Sequence, residues 1–308
     1  MSPELSLAGF LIGLLVGVTG MGGGSLMTPM LVLVFGFKPT VAIGTDILHG
    51  AIFKSFGAVR HRQLGHVHAR LTMWMLIGSA PASLAGVALA TWLKHRYGAG
   101  FEDTAQQILG IALVVGGIAF LVKAYLHSTG DDAPFQLTRH DKVVAVLLGV
   151  SGGFVVGLTS VGSGTFFGLV MLIAFPLTAV KIVGTDIFHA AALLWVAGLG
   201  HLVAGNVDLG ATAWLLVGSI PGVLIGSQLT VQLPVRALRV ALALVLFLSG
   251  VKLLEPPGAN VIVLVVAAVA LVFGLAVVVR RLVSPRPEPA AAAVGSSRTA
   301  VPSADTRP

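Results

Sequence analysis

Gly157-Leu158-Thr159-Ser160-Val161-Gly162-Ser163-Gly164-Thr165 interrupts an apolar run that extends from about 143 to 175. The same device stands 140 residues earlier, where Gly17-Val18-Thr19-Gly20-Met21-Gly22-Gly23-Gly24-Ser25 interrupts the run from about 5 to 36. A second block follows each at a matching offset: Gly44-Thr45-Asp46-Ile47-Leu48-His49-Gly50-Ala51 returns as Gly184-Thr185-Asp186-Ile187-Phe188-His189-Ala190-Ala191. Without any gap, residues 9–86 and 149–226 share 25 identities in 78 positions, Trp74/Trp214 and Pro81/Pro221 among them. Self-similarity at one fixed period marks a duplicated architecture. Glycine is a poor helix former and admits backbone angles that other residues avoid. Each interrupted run therefore reads as two half-helices joined by a non-helical turn. At membrane depth such a turn survives only when buried in protein or lining a cavity. Small residues also serve close helix packing in membranes, but three glycines in a row exceed that need.

The rest of the chain is built for lipid. Hydrophobic residues make up 56% and charged residues 10% of the 308, against about 25% charge in a soluble domain. Mean hydropathy is +0.97. Apolar stretches fall near 5–36, 40–59, 71–93, 106–126, 143–175, 180–203, 211–231, 236–254 and 260–279, each long enough to span as a helix. The net charge of +7 reads as an orientation signal; no basic patch interleaved with stacking aromatics points to nucleic acid. Cysteine is absent, which excludes disulfides, thiolate metal sites and cysteine catalysis. Met1-Ser2-Pro3-Glu4 lacks the basic region of a cleaved signal peptide. Residues 284–308, rich in Pro, Ala, Ser and Arg, read as a disordered tail.

Loop charges then set the topology. Loop 60–70 holds Arg60, Arg62 and Arg70, whereas its counterpart 200–210 holds no Lys or Arg. By the positive-inside rule these equivalent loops lie on opposite faces. That follows if each broken run returns to the side it entered from, leaving three full spans per repeat and inverting the second copy, the recurrent plan of secondary transporters. A parallel arrangement with two long unbroken helices is the alternative. The expected fold is all-α and integral to the membrane: one domain over 1–283, with repeat 1 near 5–127, repeat 2 near 143–254, and one extra helix over 260–281. Each repeat holds a re-entrant helix pair plus three transmembrane helices.

Three constellations carry chemistry. A half-helix starting at mid-depth presents backbone N–H groups and a partial positive charge, so the two turns could cradle an anion. The residues placed there are Thr19, Gly22, Gly23, Gly24 and Ser25, with Thr159, Gly162, Ser163, Gly164 and Thr165 opposite. Lys54, whose counterpart is Leu194, is a lone intramembrane cation that either meets an anion or snorkels toward Arg60. Asp46/His49 and Asp186/His189 each share a helix face. They read as proton carriers, or as a carboxylate paired with Lys54 or capping a broken helix. His61, His66 and His68 read as a solvated basic loop, and His201 as interfacial. No serine-protease or His-Glu-x-x-His arrangement is present, so an enzyme is not expected.

The glycine-broken first run, the two-fold repetition, the Gly-Thr-Asp-Ile-x-His block and Leu76-Ile77-Gly78-Ser79-Ala80-Pro81 resemble the TauE/SafE sulfite exporter family over residues 5–254. The resemblance implies a multi-pass carrier in the bacterial inner membrane for sulfur-containing anions: sulfite, sulfonates such as sulfoacetate, or thiosulfate. It implies no bound cofactor or metal, and an ion gradient as the driving partner. Asp46 and Asp186 stand where many members have a small polar residue, which marks a subgroup with its own substrate or proton coupling. The leading expectation is a proton-coupled anion transporter, with homo-oligomerisation left open. A divalent-cation carrier using the two Asp-x-x-His pairs, and a non-transporting sensor or assembly partner, are the rivals.

Overall fold

The computed structural model describes residues 2–19, 24–126, 135–229, 235–257 and 259–260. All fall within one compact unit, Met1–Leu264. The second unit, Val265–Pro308, lies outside the described residues; so do nearly all of the expected helix 260–281 and the whole tail 284–308. The described residues form helices and connecting turns: α1 Ser2–Thr19, α2 Gly24–Leu33, α3 Pro39–Gln63, α4 Ala69–Tyr97, α5 Ala99–Tyr125, α6 Arg139–Thr159, α7 Phe166–Ala174, α8 Ala179–Val203, α9 Leu209–Leu229 and α10 Val235–Leu254. Of these, α4, α5 over Gly100–Tyr125, α6 and α8 are long and apolar enough to cross a membrane by themselves.

Both apolar runs that carry glycine clusters are split into two helices. In the first, turn 20–23, with Gly22 and Gly23, lies outside the described residues. The second can be followed. Thr138 and Asp141 start α6 with a reciprocal capping box, which satisfies orphan N–H groups at the helix entrance. Ser160 ends it in the left-handed region at φ 63°, and Gly162 and Gly164 follow at φ 120° and 97°. L side chains rarely adopt the last two angles, so the glycines make this turn possible. Phe135, ahead of α6, packs its ring against Phe175, just past α7, with centroids 6.3 Å apart. The broken pair therefore begins and ends at the same end of the molecule.

Packing exchanges elements between the repeats. Gly9 and Gly13 of α1 lie against Leu215 and Ser219 of α9, and their counterparts Gly149 and Gly153 of α6 lie against Met75 and Ser79 of α4. Residue numbers rise together in both pairs, so these helices run parallel. A Cβ on Gly13 would stand 2.8 Å from the Ser219 Cα, closer than any real contact, so only glycine lets the backbones meet. Between α3 and α8 the numbers run opposite ways: Gly198 meets Leu48, Gly50 meets Leu194, and Gly57 meets Ile187. The α5–α10 pair behaves alike, with Gly110 against Leu254 and Gly117 against Ala243. Equivalent helices of the two repeats thus pack antiparallel.

The burial pattern is inverted relative to a soluble protein. Leu7, Trp92, Ile111, Leu147 and Val203 are exposed, while Asp46, His49, Lys54, Ser79, Asp186, His189 and Ser219 are buried. An apolar exterior around a polar interior needs lipid as its solvent. His201, expected at the interface, is instead 1% exposed. Its Nε2 bonds the Gly157 carbonyl oxygen at 2.9 Å, because α6 passes behind the last turn of α8.

Candidate functional site

Helix α3 supplies all three ionisable groups that line the first-repeat cavity, Asp46, His49 and Lys54. Asp46 and His49 lie one turn apart, and Lys54 lies about 12 Å of helical rise beyond Asp46. Asp46 is 1% exposed. Its Oδ2 accepts the hydroxyls of Thr28 (2.5 Å) on α2 and Ser160 (2.8 Å) at the second break. Its Oδ1 is buried without a hydrogen-bond partner. The carboxylate therefore joins a half-helix of one repeat to the chain break of the other.

Lys54 does not snorkel. It is 3% exposed and its Nζ donates to the Ser163 Oγ at 2.8 Å. Its charge acts on both Asp46 and Asp186, which puts it electrostatically between the repeats. His49 turns away from its neighbouring carboxylate. Its Nε2 meets the Ser219 Oγ on α9 at 2.9 Å, and its ring stacks on Phe53 with centroids 5.7 Å apart. The second repeat mirrors this: the His189 Nε2 meets the Ser79 Oγ on α4 at 2.9 Å.

A small cavity opens beside these groups, walled by α1, α3 and α9 and lined by Asp46, His49, Lys54 and Ser219 among others. In the second repeat Phe167 occupies the corresponding ground. Its ring lies 4.4 Å from that of His189, and its edge would meet a Cβ on Gly152 at 2.6 Å. The duplication is thus broken where it bears on binding: one side keeps a space and a cation, and the other fills with Phe167 and has Leu194 in place of Lys54.

The second break is gripped from outside. Its residues 160–165 are all buried. The Phe166 and Phe167 N–H groups donate to the Gly162 carbonyl, and the Gly164 N–H donates to Asp186. Amides expected to face an anion are therefore partly engaged already, because Asp186 reaches in from α8 as a capping carboxylate. Thr159 bonds back to the Val155 carbonyl at 2.7 Å, and Thr165 Oγ1 is buried without a partner. Of the second-break residues, Ser163 is the one that bonds Lys54. Gly24 and Ser25 open α2 and Thr19 closes α1.

Two features were missed by sequence reasoning. Lys123 is 8% exposed and donates to the Gly164 carbonyl at 2.9 Å. Ser79 and Ser219 hold the two imidazoles, and their repetition in both copies was the available signal. At the 60–70 end, His68 caps α4 by accepting from the Leu71 N–H. Its own N–H donates to Thr185 Oγ1 at 2.9 Å, while the Asp208 N–H donates to Thr45 Oγ1 at 3.0 Å, so this contact too is reciprocal. Among the described residues no three His, Asp or Glu side chains gather as a metal-ligand set.

An all-helical, lipid-exposed bundle with a duplicated, charged interior around a small cavity is a multi-pass membrane transporter. The chain belongs to the TauE/SafE sulfite exporter family, whose model matches residues 5–253. It is 38% identical over 259 residues to the probable membrane transporter protein YjnA of Bacillus subtilis (strain 168), covering 82% of this chain and 100% of that protein. It is 29% identical to the probable membrane transporter protein y4hK of Sinorhizobium fredii (81% and 97% covered) and 25% identical to YdhB of Bacillus subtilis (80% and 97% covered). No solved structure matches the chain significantly.

Proposed function

We propose that this chain carries a small anion, sulfite or another sulfur oxyanion or organosulfonate, across the bacterial inner membrane together with a proton. The observation that carries this reading is Lys54, a buried ammonium in the wall of a small interior cavity with one of its three donors engaged by Ser163. A buried ammonium at a cavity favours an anionic occupant and repels a metal cation. Ser219 on α9 and His49 on α3 add hydrogen-bonding groups to the cavity wall. The antiparallel passage of α3 and α8 supports a second repeat inverted in the bilayer.

Charge balance links the proton to the anion. Two buried lysines, Lys54 and Lys123, face two buried carboxylates, Asp46 and Asp186. An arriving anion leaves this cluster with one excess negative charge in a low dielectric, where an unbalanced charge is costly. Proton uptake at Asp46 or Asp186, relayed by His49 or His189, restores neutrality. The test is flux into proteoliposomes holding a trapped pH indicator. A sulfite gradient should move protons in the same direction as sulfite, and zinc or nickel should give no flux. Sulfite flux without proton movement would remove the coupling; zinc flux without sulfite flux would remove the anion reading.

A further inference from the structure

Lys123 lies near the end of α5 and does not line the cavity, yet it is buried. Its Nζ donates to the Gly164 carbonyl at 2.9 Å, while the Gly164 N–H is held by the Asp186 carboxylate. Both backbone polar atoms of one residue in the turn are thus bound by oppositely charged side chains from different repeats. One helical turn further, Gly168 leaves the space that this pair occupies. A Cβ there would fall 3.1 Å from Asp186 Oδ2 and 3.1 Å from Lys123 Cε, and onto Lys123 Nζ itself. The residue before Gly164 is Ser163, the hydrogen-bond partner of Lys54. Two first-repeat lysines therefore hold consecutive residues of the second-repeat break, and the counterpart of Lys54 at position 194 is Leu.

We infer that Lys123 is a positioning residue: with Asp186 it clamps Gly164 so that Ser163 stays on Lys54, and it thereby sets the charge that Lys54 offers to a cavity ligand. The clamp itself rests on the Lys123–Gly164 hydrogen bond and on the space that Gly168 leaves for Lys123 and Asp186. Its consequence for affinity rests on the anion-transport reading.

The experiment is hydrogen exchange on the full-length protein in detergent, comparing wild type, Lys123→Met, Gly168→Ala and the double variant. Peptides covering 160–169 should exchange about tenfold faster in each single variant, with α1 and α9 peptides unchanged. Gly168→Ala improves helix propensity, so faster exchange there can come only from displacing the clamp. In the double variant the alanine fills space that Lys123 has left, so exchange should be no faster than in either single one. Wild-type exchange in Lys123→Met, or additive effects in the double variant, would overturn the inference. If Lys123→Met fails to fold, Gly168→Ala decides alone, because it keeps the lysine. Sulfite flux reads the consequence: Lys123→Met should raise the half-saturating concentration several-fold. An unchanged half-saturation beside a loosened turn would overturn the positioning role. A wild-type protein that moves no sulfite would sink the transport reading and leave the exchange result standing.

Discussion

At Lys54 a full charge stands in a cavity wall with little access to water, so substitution there separates charge from bulk. Hydrogen bonds to a charged group contribute roughly 1.5–3 kcal/mol, equivalent to roughly 10- to 100-fold in affinity. Lys54→Met should therefore reduce saturable sulfite flux by that factor; flux at the wild-type level would take Lys54 out of the site. Ser219→Ala makes a different demand. It strips a buried imidazole of its partner, which costs about 1–3 kcal/mol, and the pseudo-symmetric Ser79→Ala should cost about as much through His189. Unfolding midpoints in detergent check both. Lys54, the two aspartates and the two histidines were visible in the sequence as charges inside apolar runs. Lys123 was not, because it stands three residues before the end of its run, where lysines ordinarily snorkel to water. The serines were visible as repeated residues, but their partners depend on a helix exchange that no local pattern encodes.

Helices meet here through glycine, and the exchange of α1 and α6 between repeats depends on it. Gly153 packs on the backbone of Ser79, where a Cβ would come 2.5 Å from the Ser79 Cα. Overpacking a close interface costs about 1–3 kcal/mol and sometimes more. Gly153→Leu should therefore lower the unfolding midpoint and disturb His189 by displacing Ser79. The same substitution at Gly116, which faces only a Val161 methyl at 3.2 Å and no backbone, should cost less. Equal losses at both positions would show that backbone contact is not what the Gly153 site requires. The element breaks themselves were legible, since glycine clusters in apolar runs leave few alternatives. The state of the amides at the second break was not. Their cap, Asp186, comes from a separate helix, α8, and nothing in the turn's own sequence distinguishes a free N–H from one already bonded.

On the scale of the molecule the duplication has a direction. Trp195 and Ser55 are counterparts 140 residues apart, and the Trp195 Nε1 donates to the Ser55 Oγ at 2.9 Å. A contact between equivalent positions lies on the axis that relates the repeats. Because α3 and α8 run antiparallel across it, that axis is perpendicular to both helices. If both helices cross the bilayer, their ends at Gln63 and Val203 open on opposite faces. The charges of the two equivalent loops agree, with Arg60, Arg62 and Arg70 in one and no Lys or Arg in 200–210, whereas Lys94, which donates to Asn206, runs against the rule at the second end. The natural chain has no cysteine, so single substitutions can be labelled without background. Gln63 and Val203 are exposed counterparts, Val203 at 90%. With a membrane-impermeant maleimide, Val203→Cys should react in intact cells and Gln63→Cys only after the membrane is breached. Labelling of both from one side would mean parallel repeats, and the pairing of a cavity in one half with a filled site in the other would then need a different account.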